Sequence, residues 1–158
     1  MKTIRCHQIN DDISTISLDE VDIAPPGAGE VQIRVMACSV NFPDVLMIQG
    51  KYQFAPPLPF APGGEFAGEI VAVGPDVDQF KVGDRAVAGT RYGGFSELVN
   101  AEVQAVKPVP PGISFEKAAA YQTAYLTAYV ALTIRGSLKA GETLLVHGAT
   151  GGVGLAAV

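Results

Sequence analysis

The sequence predicts an α+β chain that passes into α/β: a β-rich part over residues 1–112, an apolar helical connector over 113–136, and the opening of a βα unit over 137–158. Three observations predict it. Strict period-two alternation recurs in short segments, as in Val31, Ile33 and Val35 set against Gln32 and Arg34, and that is the pattern of a strand with one buried face. After Pro110, Pro111 and Gly112 the composition turns to apolar helix formers. Finally Thr143–His147, a nearly all-apolar run of strand length, is followed at once by a glycine-rich turn and a helix-compatible Leu155–Val158.

The first two alternating segments, 3–7 and 13–18, are separated by polar Asn10, Asp11 and Asp12, which is the grammar of a hairpin. Residues 30–36 then make a half-buried strand. Between Ala37 and Gly64 lies a long stretch rich in proline and aromatics, and so long an irregular stretch inside a domain points to function. Only 44–49 reads as a helical turn or two, with Pro43 at its start. Strand pattern returns over Glu65–Gly74, with turns at Pro75-Asp76 and Val82-Gly83-Asp84, and continues through 84–87, 95–99 and 103–106. Short strands at close spacing between turns describe a small, irregular β-barrel.

In the connector Ser114 serves as N-cap, Glu116 lies in the first turn and Gly136 stops the helix after Arg135. The helical material between is apolar nearly all round, so burial between layers is expected, with a break near Tyr121-Gln122-Thr123. The run Thr143–His147 suits a strand buried on both faces. Ala149, Gly151 and Gly154 then read as the G-x-G-x-x-G dinucleotide fingerprint with alanine at its first place. In that fingerprint the three positions supply a tight turn, close backbone approach to a pyrophosphate, and helix-on-strand packing. Main-chain N–H groups around Gly152 and Val153 would face the phosphates. The ribose-reading acid belongs about 20 residues further on, past Val158, so the choice between NAD and NADP is not written here.

Hydrophobic residues make up 48% of the 158, ample for a core, and the net charge is −5. The 11 basic residues are scattered, which excludes nucleic acid as an expected partner because phosphate recognition needs clustered cations. An anionic membrane surface is excluded on the same ground. The longest apolar stretch, 118–132, is too short and too polar for a bilayer span. Met1–Asp12 lacks the apolar core of a secretory signal, and Cys6 and Cys38 form no CxxC pair. A reducing cytoplasm is the expected home.

The order of these parts carries a resemblance. Glu-Phe-Ala-Gly-Glu-Ile-Val-Ala-Val-Gly over 65–74, Val82-Gly83-Asp84-Arg85, an Ala-rich helix and the glycine turn together resemble the medium-chain dehydrogenase/reductase superfamily, and within it the zinc-free, zeta-crystallin-like quinone oxidoreductases. The resemblance covers essentially the whole chain but only the N-terminal half of such a protein. It implies a GroES-like catalytic domain lacking its C-terminal segment and the first strand and glycine turn of a Rossmann domain. The 158 residues alone are therefore expected to bind NADPH poorly.

Zinc alcohol dehydrogenases carry a cysteine where this chain has Asn41, and Gly-His-Glu where it has Gly63-Gly64-Glu65. A catalytic zinc needs three side-chain ligands, so no metal is expected; His7 and His147 are lone histidines, and Glu65 is expected to remain as a hydrogen-bonding carboxylate. Hydride delivered to a quinone or an enone leaves a weakly basic anion that hydrogen-bond donors can stabilise, whereas a simple ketone leaves an alkoxide that wants a Lewis acid. The resemblance thus implies NADPH, with NADH the other candidate, and reduction of quinones or conjugated carbonyls. Asn41 and Tyr52 are the implied catalytic residues. Asn41, Thr127, Ala149, Gly151, Gly152, Val153 and Gly154 are the implied cofactor contacts, and Tyr92, Gly93-Gly94 and Pro56–Pro59 the implied acceptor pocket. A 2-enoyl-thioester reductase and a non-catalytic fragment are the alternatives. Relatives are often dimers, so a homodimer is implied at full length.

Overall fold

The computed structural model describes residues 1–158, which fold as two compact units, Met1–Ala119 and Ala120–Val158. In the first unit β1 (Lys2–Cys6) and β2 (Ile16–Glu20) pair antiparallel, Lys2 opposite Glu20 and Cys6 opposite Ile16. The polar bend before β2 is fixed by Asp12, whose Oδ1 accepts from the Ser14 N–H at 2.9 Å.

Five more strands, β3 (Glu30–Cys38), β4 (Glu65–Val73), β5 (Arg85–Gly89), β6 (Leu98–Glu102) and β7 (Val106–Pro108), form one antiparallel sheet in the order β6-β3-β4-β5-β7. Period two feeds two separate cores. Val31, Ile33, Phe66, Ile70, Ala86, Ala88 and Val99 fill one face. On the other, Ala67 meets Val109 and the apolar side of α2 (Phe115–Ala119), through Ala118 and Ala119. β4 therefore reads as almost continuously apolar, because both of its faces are covered. Gly68 in its middle has no room for a side chain: a Cβ there would lie 1.9 Å from the Arg34 carbonyl oxygen. Opposite it the register of β3 shifts between Val35 and Ala37, the two-against-one pairing of a β-bulge.

The expected helical turns near 44–49 are α1 (Phe42–Ile48), which starts at Asn41 with Pro43 in its first turn, where a missing N–H costs nothing. Met47 and Ile48 bury against Cys6 and Phe60 in a small core of their own. Ser114 begins α2 as expected, its carbonyl accepting from Ala118 N–H at 3.0 Å. Two strands of this unit are corrected. β6 begins at Leu98 rather than at Phe95, because the Phe95 N–H is taken by the Pro62 carbonyl at 2.9 Å. Val103–Ala105 is a 3-10 turn and β7 begins only at Val106, because the Val103 N–H is taken by the Gly29 carbonyl at 2.9 Å instead of a ladder partner.

In the second unit, π-helical turns over Gln122–Leu126 and Val130–Arg135 flank a single α turn, α3 (Thr127–Tyr129). Gly136 ends the run, its N–H reaching back to Ala131 O at 2.7 Å. Burial all round is corrected: Tyr121, Leu126, Tyr129 and Ile134 are 55–60% exposed and only Ala128 is buried. Within this unit the helical run has only the six-residue α4 (Gly152–Ala157) as a helical neighbour, and one short helix cannot cover every side of a longer one. The strand expected over Thr143–His147 does not form, and Leu145 is 76% exposed. A strand exists by pairing, and no segment of this unit offers those residues a ladder. No helix is long and apolar enough to cross a membrane.

Candidate functional site

In the first unit the chain leaves β3 beside the start of β4. The bulge delivers Cys38 opposite Phe66, and the Ser39 N–H then donates to the Glu65 carbonyl at 3.0 Å. Two residues later Asn41 caps α1, its own N–H donating to Asp44 Oδ2 at 2.8 Å. Asp44 Oδ1 accepts from the Gly63 N–H at 3.0 Å. This carboxylate, 2% exposed, therefore ties the start of the helix to the Gly63-Gly64-Glu65 turn. Gly63 has φ 96, and a Cβ on it would lie 2.7 Å from the Phe95 N, so the approach of the two loops requires glycine there.

Within this frame the Asn41 Nδ2 donates to Ser39 Oγ at 2.8 Å, and Ser39 Oγ lies 3.1 Å from Glu65 Oε2. Glu65 is 1% exposed, and the expected hydrogen-bonding carboxylate is what the structure shows. Beside it the Cys38 Sγ donates to the Glu65 carbonyl at 3.1 Å. Burial first, then the negative charges of Asp44 and Glu65, push its thiol up to about 12, so it stays protonated. No group of three or more His, Cys, Asp or Glu converges anywhere. An amide held by a hydroxyl and a single carboxylate is not a donor set that fits tetrahedral zinc. His7 is instead paired on the surface with Asp19 at 2.7 Å.

Tyr52 lies past the other end of α1 from Asn41 and is 40% exposed; the helix between them is about 10 Å long. The structure does not join the two by a hydrogen bond. Phe54 and Phe60 of the long loop meet the 90–95 loop in an aromatic cluster: Tyr92 stacks on Phe54 with centroids 6.0 Å apart and meets Phe60 edge-on at 6.3 Å, while the Arg91 guanidinium lies 4.8 Å from the Phe54 ring centre. Gly94 N–H bonds Gly63 O at 2.8 Å and Gly93 N–H bonds Ala61 O at 2.8 Å, which seats the 90–95 loop there.

In the second unit Ala149, Gly151, Gly152, Val153 and Gly154 gather in one turn. Its left-handed residue is Gly148, φ 73, one place before the alanine to which the fingerprint assigned the tight turn. A Cβ on Gly154 would lie 2.1 Å from Gly148 O, so glycine is required for α4 to close onto the turn. Gly151 is open: a Cβ there would meet nothing nearer than Gly148 O at 3.6 Å. That combination of a close-packed glycine and an approachable one fits a pyrophosphate. Thr127 stands exposed between the two π-helical turns, a local irregularity frequent at functional sites. Further along the run Thr133 bonds its own helix, donating to Tyr129 O at 2.5 Å.

Ser39, Asp44 and Gly148 were missed in the sequence. Asp44 had a signal, an acid three residues after an Asn N-cap; Gly148 had one as the glycine directly after the apolar run; Ser39 had none.

Comparison with known proteins places this geometry. The alcohol dehydrogenase GroES-like domain family matches residues 27–111. The human synaptic vesicle membrane protein VAT-1 homolog is 42% identical over 145 residues, 90% of this chain and 37% of that protein. Among solved structures, the Escherichia coli quinone oxidoreductase complexed with NADPH superposes with a TM-score of 0.89 at 34% identity, over 99% of this chain and 48% of that one. The CurK enoyl reductase does so at 0.86 and 32%, over 99% and 49%. The chain thus spans about half the length of these structures and less of the curated relative.

Proposed function

The chain belongs to the alcohol dehydrogenase GroES-like family, in the quinone oxidoreductase branch of the medium-chain dehydrogenase/reductase superfamily, and from that premise we propose that the full-length protein reduces quinones or other conjugated carbonyls with NADPH and without zinc. The observation that carries the reading is the hydrogen-bonded chain from Asn41 through Ser39 to buried Glu65, in which Asn41 stands where the resemblance puts a zinc-ligating cysteine. Bound NADPH supplies a hydride, and the rest falls to the protein.

The glycine turn, with Gly151 open and Gly154 packed on Gly148, offers main-chain N–H groups from Gly152 and Val153 to a pyrophosphate. Ala149 and Thr127 are further proposed cofactor contacts, and NADH is the alternative reductant. Asn41 has an amide able to orient a nicotinamide carboxamide or to stabilise charge gathering on an acceptor oxygen. Such donors suffice for a quinone or an enone, whose reduced anions are weak bases, and fall short for a simple ketone. Tyr52 supplies a phenol within the same loop region, able to stack or to give a proton. Tyr92, backed by Phe54 and by buried Phe60, is exposed and offers a ring on which a flat acceptor can lie.

Steady-state assays of the full-length protein against quinones, enones and a 2-enoyl thioester, each with NADPH and NADH, test the proposal. Quinones or enones with NADPH should be turned over fastest; a preference for the thioester would transfer the protein to the enoyl reductases. Asn41→Ala should lower kcat by about tenfold, the worth of one well-placed hydrogen bond, without unfolding the protein. Unchanged kinetics would remove Asn41 from the site. Metal analysis finding one zinc per chain would overturn the metal-free mechanism.

A further inference from the structure

Asn41 can serve a ligand reproducibly only if its amide is held one way up, because the two ends of an amide have nearly the same shape and opposite hydrogen-bonding sense. The Ser39 hydroxyl faces two oxygens of Glu65, the carboxylate Oε2 at 3.1 Å and the main-chain carbonyl at 3.4 Å. A carboxylate and a carbonyl only accept, so the single Ser39 proton goes to Glu65. What remains on Ser39 Oγ toward Asn41 is a lone pair, and the contact at 2.8 Å is an Asn41 Nδ2 hydrogen donating into it. A flipped amide would press Oδ1 against an oxygen with no proton to give. Ser39 and Asn41 are half-buried, whereas the Glu65 that takes the Ser39 proton is 1% exposed; in that low dielectric the Ser39–Glu65 bond is the one not given up, so the sense of the Ser39–Asn41 contact follows from it.

We infer that Ser39 is a positioning residue for the reduction: anchored on Glu65, it fixes the orientation of the Asn41 amide and with it which polar edge Asn41 turns toward a bound ligand. The inference rests on the reductase reading of Asn41. It adds a residue that no fingerprint marks, and it gives the buried Glu65 a task in a site without metal.

A double-mutant cycle in the full-length protein, with NADPH and a benzoquinone, tests it. Ser39→Ala should lower kcat about five- to tenfold, as expected for one lost hydrogen bond, with KM moving less. Ser39→Thr, which keeps the hydroxyl, should recover most of that loss. On an Asn41→Ala background Ser39→Ala should have no further effect, because residues acting through one another are not additive. Additive losses would mean that Ser39 acts through the fold, and would overturn the inference. If Ser39→Ala melts too low to assay, Glu65→Gln takes its place. Its carboxamide can donate to Ser39 and so frees Asn41 to turn over, which should lower kcat in the parent and leave Asn41→Ala unchanged; a loss that persists in Asn41→Ala overturns the inference equally. A parent protein with no NADPH-dependent reduction at all defeats the reductase reading first. Activity combined with an additive cycle defeats the role of Ser39 alone.

Discussion

The two units differ in whether their apolar runs find partners: the buried clusters lie in Met1–Ala119, although Val40 and Phe42 stand open there too. In Met1–Ala119, Val31, Ile33, Phe66 and Ile70 are fully buried, each on a strand whose neighbours lie in the same unit. In Ala120–Val158, side chains just as apolar stand in the open: Leu145 is 76% exposed, Leu155 66% and Tyr121 60%. Hydrophobic pattern states what a segment needs, whereas burial depends on whether another segment is there to meet it. The alternation in β3 was met by β4 and β6; the run over 143–147 was met by nothing in its unit.

The largest expected effect follows from that contrast. Ile33→Ala removes a side chain with no exposure from a sheet core that cannot collapse around the gap, and should cost about 3–4 kcal/mol in denaturant-induced unfolding. Leu145→Ala should change stability by less than about 0.5 kcal/mol. Equal costs would mean that Leu145 is covered in solution, and the contrast between the units would fall.

Much of the first unit was legible for the same reason. Period-two alternation and turn residues located the hairpin and β3 to β5, and Pro43 marked α1, because each of these signals is local. Less local features were lost. Val103 read as strand, yet its N–H had a better partner in Gly29 O. The connector read as uniformly apolar, which says nothing of how little surrounds it. Asn41 in the first unit and the glycine turn in the second were singled out by resemblance and spacing. The hydroxyl of Ser39 was not, since its meaning arises only when the bulge in β3 sets it against Glu65.

A second contrast concerns carboxylates that accept backbone hydrogen bonds, of which each unit has an example. Asp44 is 2% exposed and holds the N–H groups of Asn41 and Gly63 at 2.8 and 3.0 Å. Glu142 holds the Lys139 N–H at 2.8 Å but lies open to water. Asp44→Ala strands two N–H groups in a site with little water and should cost about 2–3 kcal/mol. Glu142→Ala leaves its donor to the solvent and should cost less than about 0.5 kcal/mol. Thermal melts of both variants at equal concentration check the difference, and a destabilised Glu142→Ala would blur it.

A third contrast separates the units by pH. Both cysteines, Cys6 and Cys38, are free and lie in the first unit. The Cys38 thiol is pushed up to about 12 from an ordinary 9.0, by burial above all and then by the charges of Asp44 and Glu65; burial also raises the Cys6 thiol. A group whose folded pKa exceeds its unfolded value keeps its proton longer in the native state, so its contribution to stability is complete below about pH 9 and fades as pH rises toward about 12. The parent should therefore lose denaturant resistance relative to Cys38→Ala between about pH 9 and about pH 11, with the loss confined to the first unit by amide exchange. Because the thiolate is the reactive form, Cys38 should also resist iodoacetamide in native buffer and react once the chain is unfolded in urea. Rapid native alkylation of Cys38 would show that the pocket beside Glu65 admits water and thiolate charge, and with it the tight frame around Asn41 would have to be given up.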